Sequence, residues 1–322
     1  MTGKPWETLT HDSVLNRIEK ATGSPLTSLI IQRNSYINRV FEVECADTSE
    51  KWIAKFYRPN RWKPTMILQE HSLLNTLAQA EIQVIPPLSF NNHTLFDSQD
   101  IPFAIFPKKW GRAIDELTQD SWQQVGRLLG RIHAQCQTLP QPDRVIWKPS
   151  IASQKSADTL LKLNVIPEEL LTLFNQKLLA FIEKNDPLFK NEDLFLIHGD
   201  CHLGNFISRA EEGIYLVDFD DCVIGPMIQD LWMLLPGKPE ECRREIAWFA
   251  EGYETFLDFP DPQLKLIPAL SVMRQLHFAA WCALQKDEPH FHHHFPHWGT
   301  TSYWEQLIRD MNTPILSHDE IF

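Results

Sequence analysis

Ile197-His198-Gly199-Asp200-Cys201-His202-Leu203-Gly204-Asn205, followed further along by Val217-Asp218-Phe219-Asp220-Asp221, decides how this chain is read. The apolar runs Leu194 to Ile197 and Tyr215 to Val217 lead into these stretches, so each polar segment reads as the end of a short strand. Gly199 and Gly204 let the backbone bend tightly between strands, and a hairpin then returns Asn205 beside Asp218. Two carboxylates and one amide, Asp200, Asn205 and Asp218, are thereby aimed at one point.

Phosphoryl transfer needs this set of groups. The transferring group passes through a loose transition state, so the protein aligns the acceptor hydroxyl, holds a cation and screens charge. Asp200 is suited to accept the hydroxyl proton as catalytic base. Asn205 and Asp218 offer oxygens to Mg²⁺, a hard cation that takes few protein ligands and keeps water and phosphate oxygens. The Asp200 to Asn205 interval equals that of the kinase loop H-R-D-x-x-x-x-N, and Asp218 falls where the D-F-G aspartate does. A rival reading takes His198-x-Asp200-x-His202 as a hydrolase metal cluster, but no further ligand stands nearby in sequence to complete a zinc site. His198 is therefore expected to anchor the loop by hydrogen bonding.

These residues resemble the aminoglycoside phosphotransferase and choline kinase superfamily, which shares the protein-kinase fold. Within it, the chain is similar to the bacterial stress response kinase A family, the YihE-like protein kinases. The similarity rests on Asn34-Ser35-Tyr36-Ile37-Asn38-Arg39-Val40, Lys55-Phe56-Tyr57-Arg58-Pro59-Asn60-Arg61-Trp62, His198 through Asn205, and Gly225-Pro226 leading to Gln229-Asp230-Leu231-Trp232-Met233-Leu234-Leu235. It covers nearly the whole chain. The resemblance implies a nucleotide contact from Ser35, adenine contact through the Phe106 main chain, and an Asp230 carboxylate that ties down the catalytic loop.

Composition agrees with a two-lobed enzyme. The chain has 322 residues, 43% hydrophobic and 22% charged, more than one typical domain. With 30 Lys plus Arg against 42 Asp plus Glu its net charge is −12, which disfavours nucleic acid and anionic membranes as general partners. The N-terminal residues lack an apolar core, and no run of about 18 apolar residues occurs, so a soluble, cytoplasmic protein is expected, and a monomer is its expected state. Six scattered cysteines without C-x-x-C spacing read as reduced thiols. Cys201 and Cys222 flank the site; packing is their ordinary role, a redox-sensitive thiol the alternative.

The pattern along the chain gives an α+β, bilobal protein-kinase-like fold with an antiparallel-sheet N-lobe and a mainly helical C-lobe. A helix over Asp12 to Thr22 precedes strands at Leu26 to Gln32, Val40 to Ala46 and Lys51 to Tyr57. Pro64 opens a helix to about Ala80 with Met66, Leu73, Leu74 and Leu77 on one face, and two short strands end at Phe103 to Phe106. Residues 1–106 thus form the N-lobe, 107–112 the hinge and 113–322 the C-lobe. Lys55 ends an alternating strand like the lysine of V-A-I-K, and Glu70 lies on the next helix where it can pair with it. The turn at 33–39 contains no glycine, unlike the kinase G-x-G-x-x-G loop, so Ser35 and Asn34 offer side-chain donors, with Asn38 a further candidate.

In the C-lobe, Trp122, Val125, Leu128, Leu129, Ile132 and Cys136 form the buried stripe of a helix whose Gly126 and Gly130 suggest close packing. Further helices are expected from Pro167, from Pro226 over Asp230, Trp232 and Leu235, at Glu241 to Phe256 and at Leu264 to Leu284. The run His290 to His297 reads as a solvated loop, with metal binding or pH sensing as alternatives. The function expected is an ATP- and Mg²⁺-dependent phosphotransferase on a hydroxyl. Its resemblance favours a protein substrate with a Ser/Thr acceptor; a small-molecule hydroxyl kinase and a non-catalytic nucleotide-binding module remain the alternatives.

Overall fold

The computed structural model describes residues 6, 8–98, 101–289 and 291–312, so His290 and the last ten residues of the predicted C-lobe lie outside the described residues. The chain forms two compact units. One comprises the residues up to Glu116 together with Leu203–Asp220; the other comprises Leu117–His202 and the residues from Asp221 onward.

The first unit begins with α1 (His11–Thr22), where the Thr10 hydroxyl accepts the Ser13 N–H and Gly23, at φ 72°, ends the helix in the left-handed region. β1 (Leu26–Arg33), β2 (Arg39–Cys45), β3 (Lys51–Phe56), α2 (Pro64–Gln79), β4 (Phe96–Ser98), β5 (Ile101–Pro107) and β6 (Arg112–Ala113) follow. The first five strands make an antiparallel sheet in the order β1-β2-β3-β5-β4. Strand alternation assigns its two faces. Trp52, Ala54 and Phe56 of β3 join Val14 and Ile18 of α1, Phe41, Val43, Phe103 and Ile105 in one core. Each large apolar side chain buried there contributes about 1.5–3 kcal/mol. Tyr57, which shares the opposite face with Lys55, packs with Ile67 of α2 and with Ala104, the β5 partner of Lys55. On α2 the core position falls to Ile67, while Met66 is only half-buried.

The second unit opens with α3 (Gln119–Thr138), α4 (Gln154–Lys162), α5 (Glu168–Asn185) and β7 (Phe195–Ile197). All six residues of the α3 stripe are buried. The chain then returns to the first unit as the antiparallel hairpin of β8 (Phe206–Arg209) and β9 (Gly213–Leu216), with β6 on the far side of β8. The Leu216 N–H donates to the Gln83 carbonyl at 3.1 Å, fixing the hairpin within that unit.

Back in the second unit, β10 (Val223–Gly225) pairs antiparallel with β7, and α6 (Gln229–Trp232), α7 (Arg243–Tyr253), α8 (Ile267–Gln285), α9 (Phe291–His294) and α10 (Thr301–Asp310) complete the fold. Three helices are shorter than their apolar pattern predicts, among them α7, which spans Arg243–Tyr253 where Glu241 to Phe256 is expected. α6 is a single turn, after which the chain tightens to i→i+3 bonds, with the Leu234 N–H donating to the Leu231 carbonyl and the Leu235 N–H to that of Trp232. α8 starts at Ile267, preceded by a 3₁₀ segment Asp261–Leu266, because Pro268 lacks the N–H that would continue an incoming helix. Among the described residues no helix is long and apolar enough to cross a membrane.

Candidate active site

The first unit gathers a cation and its acidic partners. Lys55, on the α2 face of β3, donates through Nζ to Asp218 Oδ1 at 2.8 Å and to Asp220 Oδ1 at 2.5 Å. Asn38 Nδ2 donates to Asp220 Oδ2 at 2.9 Å, and the Arg58 N–H donates to Asn38 Oδ1 at 3.2 Å. Burial alone would lower the pKa of the Lys55 ammonium, but the charges of Asp218, Asp220 and Glu70 overcome it and hold the pKa above its usual value. Glu70 is buried on α2 and acts on Lys55 through that charge, whereas the direct hydrogen bonds of Lys55 run to Asp218 and Asp220.

The hairpin places the remaining oxygens. The Val217 N–H donates to the Asn205 carbonyl at 2.9 Å, so Asn205 and Asp218 stand at the same end of the β8–β9 ladder. Asp218 has φ 65°, a left-handed conformation that costs a non-glycine residue about 1–3 kcal/mol and is concentrated at functional sites. Its side chain is 54% exposed, against 5% for Asp220. Ser35 is half-buried in the glycine-free turn between β1 and β2. Phe106, paired with Ile53, sets its ring edge-on to His71 with centroids 6.1 Å apart. Beyond it, the segment 107–112 leads into β6, and Lys108 stacks on the exposed Trp110 ring while its Nζ reaches buried Glu42 at 2.5 Å.

The second unit holds Asp200 in a braced loop. Asp230, fully buried, accepts the N–H of His198 at 2.8 Å and that of Gly199 at 2.7 Å. His133 of α3 links Asp230 to the Tyr253 hydroxyl, 3.1 Å to each. Gln229 Nε2 donates to the Gly199 carbonyl at 3.0 Å. Gly199 has φ 80°, and a Cβ there would meet Val223 Cγ2 at 2.9 Å and the Asp221 carbonyl at 3.0 Å, so the tight bend requires glycine. His198 is buried, and its Nδ1 accepts the Asp200 N–H at 3.3 Å.

Arg274 Nη2 of α8 donates to Asp200 Oδ1 at 2.5 Å, and His202 Nε2 lies 3.7 Å from Oδ2. Burial would raise the Asp200 pKa; Arg274, His202, His198 and His277 more than offset it and hold the carboxyl below its ordinary 3.8. Cys201 is fully buried, and burial together with Asp230 and Asp200 keeps its thiol protonated well above the usual range. All six cysteines are buried and none forms a disulfide, the surroundings of packed side chains.

Sequence reading gave no role to Asp220, Arg274 or His133. For Asp220 a signal was present in the repeated acid of Asp218-Phe219-Asp220. Arg274 and His133 carry no local motif. Among the described residues no three His, Cys, Asp or Glu side chains form a metal-holding group, so His198, Asp200 and His202 lack the arrangement that a zinc site needs, and His292, His293, His294 and His297 form none either. Instead, Phe291 buries itself among Phe295 and Trp298 while His292 to His294 remain exposed. Asn205 and Asp218 carry hard oxygen donors, the type that suits a cation retaining water and phosphate oxygens.

Residues 30–265 match the family model described as the phosphotransferase enzyme family. Stress response kinase A of Escherichia coli O157:H7 is 34% identical over 93% of this chain and 90% of its own. A serine/threonine protein kinase, RdoA, of Salmonella typhimurium is 32% identical over 94% of this chain and 91% of its own. Among solved structures, an amicoumacin kinase, hAmiN, in complex with AMP-PNP and Ca²⁺ superposes with a TM-score of 0.77 at 20% identity, covering 98% of both chains. The two-unit α+β architecture is that of the protein-kinase-like phosphotransferases. Matched by the family model over most of its length and aligned along nearly all of it with the two named kinases, the chain belongs to the phosphotransferase enzyme family, among the stress response kinase A proteins.

Proposed function

We propose that this phosphotransferase moves the γ-phosphoryl group of ATP to a serine or threonine hydroxyl of a protein, with Mg²⁺ as its cation. The observation that carries the reading is the Lys55 ion pair to Asp218, which joins residues 163 positions apart at 2.8 Å. A phosphate-holding lysine and a metal-holding carboxylate need that placement.

In this reading Asp200 takes the proton of the acceptor hydroxyl. The acceptor oxygen bonds the γ-phosphorus as the bond to the β,γ-bridging oxygen breaks, and ADP leaves with the electron pair. Asn205 and Asp218 would hold Mg²⁺, which would neutralise charge on the phosphates. Lys55 contacts the phosphates, Ser35 donates from its turn, Glu70 supports Lys55, and Phe106 offers main-chain groups to adenine at the 107–112 hinge. His198 and Asp230 hold the Asp200 loop.

Two observations favour a protein acceptor: the name of the RdoA relative, and the neutralisation of Asp200 by Arg274, which leaves little negative charge there to hold a cationic amino sugar or choline. The amicoumacin kinase likeness supports the second reading, a small-molecule hydroxyl kinase. Retention of Lys55, Asp200, Asn205 and Asp218 argues against a non-catalytic nucleotide-binding module. Incubation with γ-labelled ATP, alone, with a generic basic protein, and with amino-alcohol and aminoglycoside panels tests the choice. Label on protein and none on the small molecules is expected; the reverse overturns the protein acceptor, and no label in any arm overturns the enzyme.

A further inference from the structure

α8 turns a half-exposed stripe outward, with Arg274, His277, Phe278 and Trp281 at helical spacing, while its other faces are buried. Arg274 heads this stripe and donates to Asp200 Oδ1 from 74 residues away. The loop bearing Asp200 has Gly199 where protein kinases carry the arginine of H-R-D. A guanidinium from a distant helix thus meets the candidate base directly.

We propose that Arg274 is a positioning residue for Asp200, fixing the rotamer of its carboxylate so that the acceptor hydroxyl meets the base in one orientation; this rests on the phosphotransfer reading above. The terminal torsion of an aspartate is broad and two-fold, so the backbone braces of the loop do not set the carboxylate plane. A charge-assisted bond to one oxygen does. Arg274 and Asp200 are 13% and 21% exposed in their side chains, which limits screening of the pair. Arginine stays charged throughout the working pH range, so the hold does not switch off. The other charged or titratable groups acting on Asp200 are His198 and His202 from its own loop and His277 from α8. Each favours the ionised carboxylate, and Arg274 is in direct hydrogen-bond contact with it through its side chain.

The test compares the full chain with Arg274→Ala and Arg274→Lys for turnover, Mg·ATP affinity by calorimetry, and the acid limb of the pH–rate profile. Misplacing a reacting group costs up to about 100-fold. Arg274→Ala is expected to lose about 10- to 100-fold in kcat, to bind Mg·ATP as the parent does, and to shift the acid limb to higher pH. Arg274→Lys is expected to recover part of kcat and return the limb toward the parent. Unchanged kcat and limb in Arg274→Ala overturn the proposal, as does an equal loss in both variants that follows their melting temperatures. If Arg274→Ala fails to fold, Arg274→Gln takes its place under the same criteria. A parent without phosphotransfer sinks the functional reading instead. The Asp200 carboxyl titration, followed by carbon NMR with Asp200→Asn for assignment, then decides the Arg274 claim: a midpoint unmoved by the substitution overturns it.

Discussion

Asp200 and His71 show how burial and neighbouring charge set the state of single residues. Arg274 and three histidines hold Asp200 ionised below its ordinary 3.8, so it is an effective orienter and a weak base. Asp200→Asn keeps the shape and loses the proton acceptor. It is expected to retain Mg·ATP affinity in calorimetry while phosphate transfer falls about 10²- to 10⁴-fold. Loss of nucleotide affinity in this variant would argue for a metal-ligand role instead. His71 is the opposite case: burial, with the charge of Lys55, lowers its pKa from 6.5 to about 4, and its two ring nitrogens contact the Tyr57 hydroxyl at 3.1 Å and Thr94 Oγ1 at 2.9 Å. A folded pKa below the unfolded one means the unfolded chain binds more protons between those values. Stability contributed by neutral His71 is thus full above pH 6.5 and is lost as pH falls toward 4. Between pH 6.5 and 5 this amounts to roughly 2 kcal/mol, which chemical denaturation of the parent and a His71→Asn variant should show as a steeper loss in the parent.

At the scale of elements, the Asp200 loop is held by the packing of α3 on α7. A Cβ at Gly126 would lie 2.2 Å from the Phe249 carbonyl, and one at Gly252 would lie 2.1 Å from that of Gln123, so the two backbones touch where each helix carries glycine. This close approach lets His133 of α3 reach Tyr253 of α7 and Asp230 together, and Asp230 in turn binds the N–H groups of His198 and Gly199. Gly126→Ala forces the helices apart because the obstacle is backbone and cannot rotate away. Overpacking of this kind costs typically 1–3 kcal/mol. Thermal unfolding should show that loss, and phosphate transfer should fall with it while Mg·ATP affinity, which the proposed site assigns to Lys55 and Asp218, changes less. An unchanged melting temperature would mean that the helices repack freely and do not brace the loop.

For the molecule as a whole, nucleotide should act as a stabiliser. A ligand that binds only the folded chain adds about 2.7 kcal/mol at a hundred times its dissociation constant. Mg·ATP is expected to raise the melting temperature, ATP without metal to raise it less, and Asp218→Ala to abolish the difference between the two. Lys55→Met should reduce both shifts and, because it takes the ion pair from buried Asp220, lower the melting temperature in the absence of nucleotide as well. A shift by Mg·ATP equal in Asp218→Ala and parent would remove Asp218 from the cation site.

The sequence by itself determined the first helix, the strands and α2 up to Phe106, the buried stripe of α3, and the spacing of Asp200, Asn205 and Asp218. Those follow from period-2 and helical hydrophobic patterns and from short intervals, which act between neighbours along the chain. By contrast, α4, α10 and the short strands β6 and β10 went unread. Helix ends were less legible, because the switch to i→i+3 bonds after α6 and before α8 leaves no mark in an apolar periodicity. Only the tertiary structure decided which charge meets which. Lys55 finds Asp220 across 165 positions, Arg274 finds Asp200 across 74, and His133 finds Asp230 across 97. Such pairs depend on how whole elements pack. An isolated arginine on a helix face or a histidine in an apolar stripe looks the same in sequence whether its partner is water or a buried carboxylate.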